Sequence, residues 1–510
     1  MAQPTAHALV DTIKNGHFFD IDESSLLSQV QVTFASELER LKHAAASERP
    51  TSHVRAQAPS PSMILYNHEY DEINRTVTGI LCLRWIYNGD YDHFTRNQPD
   101  ARRLTEDSFA WLRDYFRQNL GSTQDVLLLV ISMVINDLGK DPNLEQQVKR
   151  HFEAGGRSLP DQNHDSILYE AASIGIIDCL SLLDESQMVE LKLGLALGAE
   201  LNAGQLAQAE SVPINLEFLQ EMQGQEHAFE LKFMEQMLDV AGALGHVNSD
   251  GAMNLIQPVF ETFQTVHDVS VKIIREDMPL REAYDRVLRK RNKLLVNVGF
   301  RRLSVTRDED RALLRLLTMG RTVDKEQADL FAEAFNQLES TSRDFLIKGL
   351  NIDGNVNERA VLPYYMPAVF ADTLQKTKGC TKDDRRKALT SLMRYLAKVF
   401  EQSPKFEVNG ETREDVSTPV PGIVIEHNMM KVREVINSDG FPENPDRLDD
   451  LDIPPAQQLL RRRTSHSLAS GENEYFPKPI SRTGTNLSAP PAPINEAGEL
   501  THFNWPRGTM

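Results

Sequence analysis

Apolar residues recur with the spacing of an α-helix through most of the chain between about residues 64 and 403. Intervals of three and four residues place them along one side of a helix, whereas the alternation typical of β-strands is almost absent. One weak hairpin signal lies at 406–416, where Asn409-Gly410 would form the turn. The pattern therefore predicts an all-α, multi-helix globular body.

Three of the predicted helices carry unusual residues. The first, VLLLVISMVINDL, follows a cap signal at 121–123 and ends near Gly139; because it is apolar on every side, it should lie at the centre of the fold. The second opens after polar residues at 161–163 and runs HDSILYEAASIGIIDCLSLL. The third covers 214–247 and is predicted to break or bend near Gly224.

Changes in composition predict four regions. Residues 1–63 would hold an N-terminal helix, at roughly 24–44, and a flexible loop. Residues 64–260 would form a helical core, and 261–403 a C-terminal helical subdomain. Thirteen of the 25 prolines lie in 401–510. Such a composition buries too little apolar surface to offset the entropy of ordering, so 404–510 is predicted to be mostly disordered, above all from about 440 onwards.

The net charge, the longest apolar run and the N-terminal sequence exclude several classes of protein. The chain has 55 basic and 74 acidic residues, a formal net charge of −19, and a surface this acidic repels nucleic acid. The longest apolar run, Val126–Ile135, is about half of a membrane span, and the first 30 residues lack a secretory pattern. Three cysteines cannot build a disulfide framework. We therefore expect a cytoplasmic protein that binds no nucleic acid and no membrane.

The pair Asn136-Asp137 stands at the end of the most apolar helix. A carboxylate is unfavourable at the negative end of a buried helix unless a cation compensates it. Lys140, an arginine from another helix, or a metal ion would serve. In the simplest alternative, Asp137 and Lys140 merely seal the helix end.

The string Val130 to Lys140, VISMVINDLGK, resembles the central motif of HD-domain proteins, in which a buried helix ends in His-Asp, an apolar residue, Gly and often Lys. The resemblance covers roughly 64–250. It implies an all-α fold with one or two divalent metals, and either phosphohydrolase or, with iron, oxygenase activity. Asn136 departs from the motif, because the metal-binding histidine should stand there.

Carried over by position, the resemblance implies that Asp137 bridges the metals. His164 would match an intermediate histidine of the family and Asp239 the late aspartate, while the upstream histidine would be His68 or His93. The implied cofactor is iron, manganese or zinc.

Helical geometry adds a separate expectation for the third helix. Lys232, Glu235, Gln236, Asp239 and His246 form one polar stripe, for which a solvent-exposed face is the simplest interpretation.

His227 and Glu230 instead fall within the apolar arc of the same helix. A buried glutamate must be paired, metal-bound or protonated, and His227, three residues before it, is its natural partner. The pair would supply a metal ligand and a general base, with Glu230 or Lys140 assisting catalysis. The alternatives are a satisfied core pair, or a helix end that places both residues outside the apolar contact.

The C-terminal region contains Arg461-Arg462-Arg463-Thr464-Ser465. This basic cluster is typical of substrates of basophilic kinases, and phosphorylation of Thr464 or Ser465 would add strong negative charge beside three arginines. The alternative is a solvated charge run without a partner.

Three hypotheses of function follow. The first is a metal-dependent enzyme, a hydrolase or oxygenase, acting on a small phosphorylated or oxidisable metabolite. The second is a non-catalytic helical interaction or regulatory protein whose phosphorylatable tail binds a partner. The third is a terpene-type cyclase, although Asp383-Asp384 lacks the third carboxylate of a magnesium motif.

Overall fold

The computed structural model describes residues 7–44, 58–156, 164–354, 358–403 and 424–459. Helices dominate these ranges and confirm the all-α prediction; the described strands are three short ones. Among the described helices, none is by itself long and apolar enough to cross a membrane, and one pair, Glu106–Asn119 with Thr123–Lys140, reaches that length across a bend of 114°.

The first part of the chain is entirely helical where it is described. Its α-helices are α1 (Ala8–Lys14), α2 (Glu23–Thr33), α3 (Ala35–Leu41), α4 (Pro61–Tyr66), α5 (Asp71–Asn88), α6 (Tyr91–Thr95), α7 (Glu106–Asn119), α8 (Thr123–Ile135), α9 (Pro142–Ala154), α10 (His164–Ser173), α11 (Glu185–Glu200), α12 (Ala203–Ala207), α13 (Phe218–Glu221) and α14 (Glu226–Gly242). Short 3₁₀ segments lie at Asp100–Arg102, Leu138–Lys140, Asp178–Leu182 and Pro213–Leu216.

The second part adds helices and a small sheet. It contains α15 (Gln257–Glu276), α16 (Leu280–Asn297), α17 (Asp308–Met319), α18 (Lys325–Asn336), α19 (Ser340–Asn351), β1 (Ala360–Tyr364), α20 (Met366–Lys376), α21 (Lys382–Gln402), β2 (Val424–Asn428), α22 (Met430–Asn437), a 3₁₀ turn at Pro445–Leu448 and β3 (Ala456–Leu459). The predicted boundary between 260 and 261 therefore falls inside α15.

Helix α8 lies in the core, as its apolar sequence predicts. It begins with a capping box between Ser122 and Asp125, in which each side chain accepts the other residue's backbone N–H. From Val126 to Ile135 every residue is buried except Ser132, which is partly exposed. The last helical residue is Ile135 and Asn136 is the C-cap, so Asp137 follows the helix at a buried position inside the fold.

Helix α14 is surrounded by α5, α8, α11 and α15. A side chain at Gly242 would lie 2.5 Å from the carbonyl oxygen of Arg75 and 2.7 Å from the amide nitrogen of Gly79. The backbones of α5 and α14 can therefore touch only because Gly242 has no side chain. The chain breaks before α14 at Gly224, with φ of +79°, as predicted.

Two helix predictions need correction. The helix expected to run from 164 to 183 ends at Ser173, because Gly175 adopts φ of +75°, and a 3₁₀ turn follows. The N-terminal helix expected at 24–44 is divided into α2 and α3 at Phe34, and α1 precedes them.

The sheet has the order β1-β2-β3, with β1 and β2 parallel and β2 and β3 antiparallel. Helices α20 and α21 separate the parallel strands, so no hairpin signal marks them in the sequence. Residues 424–459 contain β2, α22, a 3₁₀ turn and β3, so part of the region predicted to be mostly disordered has helices and strands. The hairpin candidate at 406–416 and the tail from 460 lie outside the described residues.

Candidate functional site

A network of ion pairs lies where α5, α14 and the end of α8 meet. It consists of Glu72 and Arg75 from α5, Asp137 and Lys140 after α8, and Asp239 from α14. We call these five residues the polar centre. Glu72 and Asp137 are 3% and 6% exposed, respectively, so charge here must be compensated within the protein.

Arg75 lies among all three carboxylates of the polar centre. Its Nη1 atom donates to both oxygens of Glu72, at 2.7 and 2.9 Å. The same nitrogen is 3.8 Å from Oδ2 of Asp137, and Nη2 is 4.0 Å from Oδ1 of Asp239. One guanidinium therefore faces three negative groups.

Lys140 supplies the second cation. Its Nζ atom is 2.8 Å from Oδ1 of Asp137 and 3.4 Å from Oε2 of Glu72. The 3₁₀ turn at Leu138–Lys140 brings this ammonium back onto Asp137, three residues earlier. Asp137 thus has a cation on each side.

Burial and neighbouring charges shift the pKa values of the three carboxyl groups. Burial opposes ionisation of Asp137, but Lys140 and Arg75 together hold the pKa of Asp137 below its usual range. Burial, and then the charge of Asp137, raises the pKa of Glu72 to about 7. The same two causes raise the pKa of Asp239, whose side chain remains 37% exposed. Asp239 is therefore the carboxylate of the polar centre that solvent reaches most easily.

His164 lies beside this network. A side chain at Gly139 would be 1.9 Å from the carbonyl oxygen of His164, so the start of α10 rests directly on the turn after Asp137. The charge of His164 contributes to the low pKa of Asp137, and its Nε2 atom is 3.6 Å from Asp165. Three of the four predicted metal ligands, Asp137, His164 and Asp239, are thus brought together.

The polar stripe of α14 is mostly buried, which corrects the simplest interpretation of its sequence, although Gln236 is partly exposed and Asp239 is 37% exposed. Lys232, Glu235 and His246 are 6%, 1% and 8% exposed. Neighbouring helices pack against α14, and Nζ of Lys232 pairs with Glu235 at 2.5 Å. Gly198 makes room for this lysine, since a side chain there would lie 2.7 Å from its Cε.

His227, the fourth predicted ligand, belongs to the other end of the helix bundle. Its ring nitrogens are 3.5 Å from Asp125 and 3.4 Å from Glu190, and its side chain is 42% exposed. Asp125 opens α8 and Asp137 follows its end, twelve residues later, which is about 18 Å along a helix. His227 therefore cannot share a metal with Asp137.

Glu230 does not pair with His227. Its Oε2 atom accepts from the Tyr115 hydroxyl at 2.5 Å and contacts Nε2 of His267 at 2.8 Å. The rings of Phe229 and Phe233 flank His267. Glu230 is thus a part-buried, paired group away from the polar centre, and no local pattern pointed to its partners on α7 and α15.

Neither candidate for the upstream histidine joins the network. The His68 ring contacts the ring of Tyr70, with centroids 4.5 Å apart. His93 contacts Asp250 at 3.2 Å and stacks on Trp85. Arg75 of α5 instead reaches Asp137 and Asp239. It is the arginine from another helix that the sequence allowed as the cation for Asp137 but did not identify by number.

The residues present do not fit a divalent metal. Within the described ranges, no group of three or more His, Cys, Asp or Glu side chains is arranged to hold a metal ion. The guanidinium of Arg75 stands among the carboxylates, and Asn136 replaces the expected histidine. An amide oxygen is a poor ligand for iron, manganese or zinc compared with imidazole.

A second buried carboxylate, Glu210, was also not predicted from the sequence. It is 4% exposed, and it accepts the backbone N–H of Tyr365 at 2.5 Å, at the start of α20. Ala209 and Tyr365 both have left-handed backbone angles, with φ of +54° and +72°. Burial raises the pKa of Glu210 to about 8.

We expect Glu210→Gln to reduce the pH dependence of stability. Because the pKa of Glu210 is about 8 in the folded chain against 4.5 ordinarily, its contribution is full below pH 4.5 and is lost as the pH rises through 8. Between pH 5 and pH 9 the wild type should lose roughly 2–4 kcal/mol more than the variant. Urea unfolding at both pH values measures this, and the exposed Glu276→Gln serves as control; equal losses in all three proteins would contradict it.

Comparison with protein-family models identifies a family to which the chain is similar. A model of a family of unknown function, DUF6829, matches residues 27–448, which include the whole polar centre. No curated protein sequence and no solved structure has significant similarity to the chain.

Proposed function

The chain belongs to the DUF6829 family, whose function is unknown, and we propose that it is a non-catalytic helical interaction or regulatory protein of the cytoplasm. Its core would keep an HD-like arrangement of carboxylates without the metal. The tail with Thr464 and Ser465, which lies outside the described residues, would be the phosphorylated part that engages partners.

The position of Arg75 carries this proposal. Its guanidinium faces Glu72, Asp137 and Asp239, and Lys140 adds a second cation at 2.8 Å from Asp137. A buried carboxylate needs a compensating cation, and here side chains of the same chain supply it. A divalent ion would have to displace a guanidinium that is already paired.

The residues expected from the sequence to act in catalysis are also engaged. Lys140 pairs with Asp137 and Glu72, while Glu230 pairs with Tyr115 and His267. Metal-dependent hydrolysis or oxygenation needs an open ligand position at the metal. The paired state of both residues therefore favours the interaction hypothesis over the enzyme hypothesis. Terpene-type cyclisation has no supporting contact among the described residues.

We expect divalent metals not to stabilise the protein. A ligand at a hundred times its dissociation constant stabilises a protein by about 2.7 kcal/mol. Thermal unfolding of the full chain, first freed of metal with chelator, should give the same melting temperature with and without added Mn²⁺, Zn²⁺ or Fe²⁺. A rise that disappears in Asp239→Asn would instead support a metal-dependent hydrolase or oxygenase.

A further inference from the structure

One side of α19 lines a surface depression in the described part of the chain. Asp344, Ile347, Lys348 and Asn351 follow the spacing i, i+3, i+4, i+7, which puts them on one side of the helix. With Asp308, Ile352 and Glu358 they line a depression of about 340 Å³. We call this depression the α19 face.

The α19 face is both acidic and partly apolar. It carries three carboxylates, Asp308, Asp344 and Glu358, against the single ammonium of Lys348, which is 3.9 Å from Glu358. The side chains of Asp308 and Asp344 make no hydrogen bond or ion pair with any residue in the described ranges. The part-buried Ile347 and Ile352 supply its apolar surface.

The described part of the chain ends close to this face. Leu459, the last described residue, pairs with Val424 of β2, and Val424 pairs with Ala360 of β1. Two strand spacings make about 10 Å from Leu459 to Ala360. Ile352 packs against the hydrophobic cluster that contains Ala360 and Val424, so the α19 face borders this end of the sheet.

Residues 460–463 are chemically complementary to the α19 face, and they are long enough to cross the end of the sheet. Leu460 is followed by Arg461, Arg462 and Arg463, an apolar residue and three cations. Four extended residues span about 13 Å, enough to cross the sheet end. We propose that the segment 460–465 binds the α19 face of its own chain, with Leu460 on the isoleucines and the arginines on Asp308, Asp344 and Glu358. This inference rests on the proposed regulatory function.

Phosphorylation of Thr464 or Ser465 would then release the segment 460–465 from the α19 face. A phosphate on Thr464 or Ser465 carries up to two negative charges, directly after the arginines. It pairs with those arginines and is repelled by the carboxylates of the α19 face. The tail is therefore bound to its own chain when unmodified and available to a partner when phosphorylated.

Cross-linking of the full chain tests this binding. In Arg462→Lys, a zero-length carbodiimide should join the introduced amine at position 462 to Asp344, Glu358 or Asp308 of the same chain. The native Lys382–Glu333 pair, at 2.6 Å, gives a reference cross-link that none of the variants removes. Adding Asp344→Asn and Glu358→Gln together should remove most of the new product, whereas adding the exposed Glu276→Gln should keep it. Phosphorylation of Ser465 by a basophilic kinase should lower its yield roughly threefold or more.

Hydrogen exchange provides a second measurement without cross-linker. Exchange in 340–352 should speed up when Arg461, Arg462 and Arg463 are all replaced by Gln in the full chain. Cross-links from the introduced amine that join two chains, or that lead to other carboxylates, would overturn the inference, as would unchanged exchange. None of these outcomes bears on whether the polar centre binds metal, so the proposed function is tested separately.

Discussion

Arg75→Met should destabilise the protein by about 3–5 kcal/mol, because it leaves buried carboxylates without their main cation. Methionine keeps much of the length of the arginine side chain, so the change removes charge rather than volume. The loss should be larger at pH 8 than at pH 6. Without Arg75 the carboxylates of Glu72 and Asp137 take up protons more readily, and protonation relieves the repulsion between them as the pH falls.

Urea unfolding at the two pH values measures this effect. Arg275→Met is the matched control, since Arg275 is exposed at the end of α15, and it should change the free energy of unfolding by less than about 0.5 kcal/mol. Adding Glu72→Gln to Arg75→Met should recover part of the loss, because one uncompensated charge disappears. An Arg75→Met protein as stable as the wild type would mean that the polar centre is compensated in another way.

Gly139→Ala should cost about 2–4 kcal/mol through overpacking. The added methyl group would lie 1.9 Å from the carbonyl oxygen of His164, which is backbone and cannot rotate away. Either α10 or the turn after Asp137 must move. Movement of that turn also separates Lys140 from Asp137, so packing and electrostatics are lost together.

Gly121→Ala is the matched control for this substitution. Gly121 lies just before α8, and the nearest atom to an added methyl group is a carboxylate oxygen of Asp125 at 3.9 Å. Thermal melting followed by circular dichroism should show a melting temperature far below that of the wild type for Gly139→Ala and an almost unchanged one for Gly121→Ala. Equal melting temperatures would contradict the close contact between α10 and the turn.

Periodicity was a good guide to the fold wherever the decisive interactions are local. The uniformly apolar stretch predicted the central position of α8, and Gly224 predicted the break before α14. The sheet was missed because β1 and β2 pair across about 60 residues, with no turn between them to mark the pairing. The polar stripe of α14 was assigned to solvent because periodicity cannot show which neighbouring helices cover it, or that Lys232–Glu235 and Arg75–Asp239 compensate its charges.

The candidate site was predictable only in part, for the same reason. The motif around Asp137, with its resemblance to HD-domain proteins, led to Asp137, His164 and Asp239, which do come together. It did not lead to Arg75. Glu72 and Arg75 look like ordinary charged residues near the start of α5, and only the three-dimensional contact with α14 makes them interior residues. His227 was wrongly grouped with Asp137 as a metal ligand. Its position around the axis of α14 does not determine which end of α8 it contacts, and it contacts the start of α8 at Asp125.

The polar centre and Glu210 share one physical feature. In both, a polar position inside the fold is filled by a group of the protein itself: Arg75 among carboxylates, and the Glu210 carboxyl at the start of α20. Such internal compensation stabilises the fold and leaves little for a small ligand to gain.

Elemental analysis of the full chain, purified without chelator and without a metal-binding tag, tests the central claim most directly. If Arg75 and Lys140 are the cations of the polar centre, iron, manganese and zinc should each be far below one ion per chain. A metal content near one ion per chain, lost in both Asp137→Asn and Asp239→Asn, would contradict the claim and favour the hypothesis of a metal-dependent enzyme.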